Sequence, residues 1–209
     1  MNQRERMAAG LPYKSWLDGL AEARLENKKK IRRFNLLPPE DTARIIAALK
    51  DILGKTGENV FIEAPFHCDY GKNIEVGEHF FANYNLTILD VGKVRIGAYA
   101  QIAPNVSIYT AGHPIHPDAR NSGYEYGLDV TIGDSVWIGG NTVILPGVSV
   151  GNNVVIGAGS VVSRNLPDNV IAVGNPCRIV REITQADRDF YYRDRPFDVD
   201  DYLIPNELF

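Results

Sequence analysis

The run Val130-Thr-Ile132-Gly133-Asp-Ser-Val136-Trp-Ile138-Gly139-Gly-Asn-Thr142-Val-Ile144-Leu-Pro-Gly-Val148-Ser-Val150-Gly151-Asn-Asn-Val154-Val-Ile156-Gly157-Ala-Gly-Ser160-Val-Val162 repeats itself every six residues. Ile132, Ile138, Ile144, Val150, Ile156 and Val162 form one aliphatic column. Val130, Val136, Thr142, Val148, Val154 and Ser160 form a second, two residues earlier. Gly133, Gly139, Gly151 and Gly157 each follow a member of the first column. A helix of 3.6 residues per turn does not return to one face after six. A strand does, because its faces alternate every two residues. An unbroken strand leaves the phased glycine unexplained. A short strand followed by a tight turn explains both, with the aliphatic inward and the glycine expected to supply the turn conformation. This is the repeat of a parallel β-helix.

The ladder runs backward. Ile96, Ile102 and Ile108 keep the phase of Ile132, and Val94, Ala100 and Val106 match the second column. Ile88 and Ala82 continue it less cleanly, and Val76-Gly77 reads as a unit shifted by two residues, which implies a small insertion. Glu58 to Val180 is thus expected to be one solenoid, each buried aliphatic contributing about 1.5–3 kcal/mol. One segment breaks the ladder. Tyr109 to Gly127 has no hexad, yet the phase resumes after it. A loop extruded from a regular coil is the expected site of function.

Residues 1–56 have another texture. Trp16, Leu17, Leu20, Ala23 and Arg24 predict one helix. Pro38-Pro39 breaks the chain, and Glu40 and Asp41 place acids in the first turn of a second helix. Ile45, Ile46, Leu49, Ile52 and Leu53 are its apolar stripe, and Gly54 its stop. A small helical cap is expected here. The run Lys28-Lys-Lys-Ile-Arg-Arg33 within it reads as a solvated helix face. The division is therefore a cap at 1–56, a solenoid at 57–180 and a tail at 181–209. Thr184 to Asp201, charged and aromatic, fits either a docked helix and tail or a partly disordered end.

The 209 residues are 44% hydrophobic and 23% charged, which excludes wholesale disorder. Net charge is −4, against a nucleic-acid platform. Cys68 and Cys177 make no disulfide framework and fit a reducing compartment, the cytoplasm. No apolar run approaches the roughly 20 residues that cross a membrane, and Met1 to Gly10 lacks a signal-type apolar core.

Several stretches together are more specific than the hexads. They are Cys68-Asp-Tyr-Gly-Lys-Asn73, Phe80-Phe-Ala-Asn83, Thr110-Ala-Gly-His113-Pro and Asn121-Ser-Gly-Tyr-Glu125, with Val136-Trp-Ile-Gly-Gly140 and Val173-Gly-Asn-Pro-Cys-Arg178. Over about residues 4–183 the chain resembles the hexapeptide-repeat acetyltransferases of the maltose/galactoside O-acetyltransferase group. The resemblance implies a mainly β fold, a left-handed parallel β-helix with a small N-terminal helical cap. It also implies homotrimers with active sites between subunits, and acetyl transfer from acetyl-CoA to a sugar hydroxyl. A hydroxyl needs a base, and histidine titrates in the right range.

His113 matches the catalytic histidine of the group, and Asn83 the position that donates to the oxyanion. Asp69 and Glu125, with Asn83, match acceptor contacts. Gly140 and Ala158 match the wall along the pantetheine arm, with Trp137 lining it. Ser163, Arg164, Arg178 and Arg181 match the nucleotide end, where arginine forks suit phosphate. His116 shapes the loop or touches substrate, while His67 and His79 read as packing, solvent or turn residues. Ser15, followed by Asp18, and Val91 stand where galactoside enzymes carry acids, and Cys68-Asp69-Tyr70 is nearer the maltose type. The alternatives are a xenobiotic acetyltransferase and a gamma-type carbonic anhydrase. For the latter, His113-x-x-His116 lacks a third nearby histidine, so no metal is expected.

Overall fold

The computed structural model describes residues 1–199; the last part of the expected tail, 200–209, lies outside the described residues. From Val60 the chain winds around a three-sided prism. Its first face stacks parallel strands Val60–Ile62, Phe80–Ala82, Gln101–Ile102, Trp137–Ile138, Val155–Ile156 and Val170–Val173. The second stacks Phe66–Cys68, Leu86–Leu89, Ser107–Tyr109, Val143–Ile144 and Val161–Val162. The third stacks Ile74–Val76, Val94–Ile96, Val130–Ile132 and Ser149–Val150. The mainly β solenoid expected from the hexads is the observed fold.

Both columns point inward. Ile138, Ile144 and Val162 are fully buried, as are Val130 and Val154. Thr142 and Ser160, the polar members, are buried too and turn their hydroxyls to the carbonyls of Gly139 and Gly157. A buried hydroxyl left unpaired costs about 1–3 kcal/mol, and these are paired.

The phased glycines have a different cause from the one expected. Gly133, Gly139, Gly151 and Gly157 do not adopt positive φ. A Cβ on Gly139 would sit 2.5 Å from the backbone nitrogen of Ala158, one coil up. Coils about 4.8 Å apart leave no room there for a side chain. The left-handed position falls two residues later, on Ser135, Asn141, Asn153 and Gly159. Asparagine recurs in it because its short amide tolerates that conformation. Its amides also ladder between coils, Asn85 to Asn105 and Asn153 to Asn169, each at 2.9 Å.

The cap holds three helices: α1 (Gln3–Ala8), α2 (Leu20–Phe34) and α3 (Thr42–Ile52). The sequence reading missed α1. It also started α2 too early: Trp16 and Leu17 are exposed in a turn, and Gly19, left-handed, precedes the helix. Asp41 is the N-cap of α3, accepting from the Arg44 N–H, rather than a first-turn acid. Ile45, Leu49 and Ile52 face the core as expected.

After Val173 the chain reverses. Strand Arg178–Glu182 runs antiparallel on the first face and straddles the expected end of the solenoid. A short 3-10 turn, Gln185–Asp189, and a hairpin of Phe190–Tyr192 with Arg195–Pro196 follow, in place of a regular helix.

Candidate active site

Register shows where the coils depart from regularity. Val60 pairs with Phe80, Phe66 with Leu86 and Ile74 with Val94, each twenty positions on. Trp137 pairs with Val155, eighteen on. The two extra residues lie where the second face turns into the third, at Asp69–Asn73 and again at Asp90–Lys93. The third passage of this corner is the extruded loop. Two equal short insertions and one long one are thus stacked on one edge of the prism.

Buried hydrogen bonds hold that edge. Asp90 Oδ1 accepts from the Asp69 and Tyr70 N–H groups at 2.8 and 2.9 Å. One coil up, Thr110 Oγ1 accepts from the Gly92 N–H at 2.8 Å and donates to the Leu89 carbonyl at 2.6 Å. Burial pushes the Asp90 carboxyl up to about 7, against the two N–H bonds that favour its charge. Its Oδ2 is buried without a hydrogen-bond partner among the described residues.

The loop leaves through a narrow neck in which Ala111–Gly112 pairs antiparallel with Tyr126–Gly127. Tyr126 lies so close over Gly112 that a Cβ there would meet its ring at 2.6 Å. His113 follows the neck directly and is exposed. His116 caps helix α4 (Pro117–Asn121), its Nδ1 accepting from the Asp118 N–H at 3.3 Å, so it shapes the loop. Ile115, between them, is 93% exposed.

The cap grips the returning limb. Tyr13 and Glu125 exchange backbone hydrogen bonds at 2.9 and 3.0 Å, and the Tyr13 hydroxyl donates to Glu125 Oε1 at 2.5 Å. Burial and that carboxylate push the Tyr13 hydroxyl pKa up. Arg24 donates to the Tyr70 hydroxyl at 2.8 Å. Beside them, burial pushes the Asp69 carboxyl up while Arg24 and Lys28 pull it down. Asp69 and Glu125, both expected to meet acceptor hydroxyls, are brought to one edge with His113.

Asn83 is on the other edge of the second face, where the first turns into it. Its Oδ1 accepts from the Tyr84 N–H at 2.8 Å, which orients the amide. Ala82, Ile102, Ile138 and Ile156 are successive register partners. Gly140 therefore stands two coils above this corner and Ala158 three, about 10 and 14 Å up. The stair is open at its top, where a Cβ on Gly159 would meet nothing within 4 Å, and tighter at Gly140, where one would meet the Pro104 carbonyl oxygen at 3.1 Å.

The remaining expected residues are dispersed. Trp137 is on the first face, 55% exposed. Ser163 and Arg164 are exposed on the loop's own edge, two coils above it. Arg178 and Arg181 lie on the terminal antiparallel strand, and Arg181 already forks onto Asp187 at 2.6 and 2.8 Å. Among the described residues no three or more His, Cys, Asp or Glu side chains gather as a metal site, and no helix is long and apolar enough to cross a membrane.

Two family models match. Residues 129–164 match the bacterial transferase hexapeptide (six repeats), and residues 6–57 the maltose acetyltransferase hexapeptide capping motif. The galactoside O-acetyltransferase of Escherichia coli K12 is 43% identical over 194 residues, 93% of this chain and 96% of that protein. The chain is a hexapeptide-repeat acetyltransferase of the maltose/galactoside group. A solved galactoside acetyltransferase in complex with coenzyme A superposes with a TM-score of 0.92 at 42% identity, covering 95% of this chain and all of that one. A maltose O-acetyltransferase from Clostridium difficile 630 gives 0.87 at 47%, covering 88% and 99%.

In this acetyltransferase, sequence reasoning missed Tyr13, Arg24, Tyr70 and Asp90. Asp90 carried a signal: an acid six residues before Ile96, where the ladder calls for an aliphatic.

Proposed function

We propose that the chain is an acetyl-CoA-dependent O-acetyltransferase whose acceptor is a sugar such as maltose, glucose or a galactoside. It works as a homotrimer with each site built between two copies. One observation carries this reading: the expected residues form two columns on opposite edges of the second face. Asn83, Gly140 and Ala158 share one edge. Asp69, His113 and Glu125 share the other. A neighbour that sets its loop edge against the stair edge unites them. The exposed Ile115 beside His113 supplies an apolar contact for that neighbour.

In the united site the stair takes the pantetheine arm, its exposed backbone meeting the amides. Trp137 lines the wall, and Ser163, Arg164, Arg178 and Arg181 take the nucleotide end, Arg181 after exchanging Asp187 for phosphate. Asp69 and Glu125 orient the sugar. His113 removes the hydroxyl proton as the oxygen bonds to the thioester carbon. Asn83 Nδ2 donates to the oxyanion, a contact worth about 2.7–4 kcal/mol. Collapse expels the thiolate, which receives the proton from His113. Residues 1–56 serve as cap, 57–180 as acyltransferase solenoid and 181–209 as tail. Two buried, unbridged cysteines support a cytoplasmic setting.

The test is an acceptor panel with acetyl-CoA, read as free thiol. Turnover is expected on hexoses or disaccharides, and His113→Ala is expected to lose at least a hundredfold in kcat. Turnover only on a non-sugar (xenobiotic) hydroxyl, or full activity of the variant, overturns the reading.

A further inference from the structure

The basic run on α2 is only half explained as a solvated face. Lys29 pairs with Glu26 at 2.6 Å and Lys30 with Asp51 at 2.9 Å. Lys28 and Arg32 differ. They stand one helical turn apart; neither side chain has an ion pair or hydrogen bond among the described residues, and Lys28 acts only at longer range on Asp69. Both overhang a cavity of about 510 Å³ between α2 and the second face. Ile31 and Leu89 give it an apolar lining, and exposed His67 stands on the strand side. Asp69 is the single acid in its lining.

The wall is rigid. Asn35 accepts from the Phe66 N–H and donates to the Phe66 carbonyl, both at 2.9 Å, tying the end of α2 to the strand. The volume is that of a small-ligand pocket, and apolar walls with a few convergent polar groups are its usual make-up. Like charges at i, i+4 repel, and the neighbouring lysines show that acids are within reach of this helix. An anion held between Lys28 and Arg32 relieves that repulsion, and the arginine fork suits phosphate or carboxylate.

Asp69 joins this cavity to the acceptor site. We propose that the cavity is a subsite for an anionic group on the acceptor, so that the enzyme prefers acidic sugars, a hexose 1-phosphate or an aldonic acid, to their neutral parents. The proposal rests on the acetyl-transfer reading above. A sugar with one hydroxyl on Asp69 directs its phosphate or carboxylate toward Lys28 and Arg32.

The experiment compares glucose, glucose 1-phosphate and gluconate as acceptors for wild type and for Lys28→Gln/Arg32→Gln. Both substituted side chains are surface-exposed, and thermal melts check that the variant folds. For wild type, kcat/KM is expected at least tenfold higher for one or both acids than for glucose. The variant is expected to lose that preference, with glucose changing less than either acid, while its KM for acetyl-CoA stays within twofold. The phosphate and carboxylate arms tell which anion is meant. No preference in wild type, an equal loss on all three acceptors, or a rise confined to the KM of acetyl-CoA overturns the proposal. Calorimetric binding of glucose 1-phosphate to both proteins reads the subsite without turnover. Binding lost in the variant, with no acetyl transfer to any sugar, leaves the subsite standing and sinks the acetyl-transfer reading. Transfer to glucose without binding or preference does the reverse.

Discussion

Gly139 and Gly159 stand in one corner of the prism and are glycine for different reasons. Gly139 faces the backbone of the next coil at a distance no Cβ fits. Gly159 has φ +72° and open space around it. Gly139→Ala is therefore expected to destabilise by about 1–3 kcal/mol, as overpacking does. Gly159→Asn is expected to stay within about 0.5 kcal/mol of wild type, because Asn85, Asn105 and Asn141 hold the same left-handed place in the coils below. Urea midpoints of the two variants check this, and equal losses would refute the distinction. The positions of the glycines were legible in the sequence but their cause was not. Spacing along the chain does not separate a dihedral requirement from the approach of a backbone sixteen to nineteen residues away.

The edge that carries the loop is an element in its own right, and its chemistry is long-range. Tyr13 and Glu125 are 112 positions apart. No periodicity links them, which is why the hexads revealed the solenoid and the loop but not the grip of the cap on it. Tyr13→Phe removes a buried hydroxyl from a carboxylate expected to bind the acceptor. It is expected to cost about 1.5–3 kcal/mol of stability and to raise the acceptor KM more than it lowers kcat. An unchanged KM would make the bond purely structural.

Asp90 sets the shape of the same edge by accepting two backbone N–H groups. Its pKa rises from about 3.9 in the unfolded chain to about 7 in the native one. The native state then holds the proton more tightly. Its contribution falls as pH rises from about 4 to about 7 and is constant above. Asp90→Asn keeps an acceptor oxygen and does not titrate. The variant's urea midpoint relative to wild type is expected to climb between pH 5 and pH 8. A constant difference would mean that Asp90 is not the group that titrates.

At the scale of the whole molecule, the proposed reaction requires Asn83 and His113 to meet. They occupy opposite edges of the second face, and among the described residues no contact joins them. The hexads made the prism legible from sequence alone. They do not say which edges of two prisms touch, because that depends on surface shape rather than on inward columns. Two individually inactive variants settle the arrangement. Asn83→Ala keeps a good histidine, and His113→Ala keeps a good asparagine. If each site takes Asn83 from one copy and His113 from the next, trimers formed from an equal mixture contain repaired sites. A repaired site needs an intact asparagine on one copy and an intact histidine on its neighbour, so about a quarter of sites qualify. Co-refolded mixtures should then recover about a quarter of wild-type thiol release from parents that have almost none. If both residues came from the same chain, every site would keep one defect, and mixing would recover nothing.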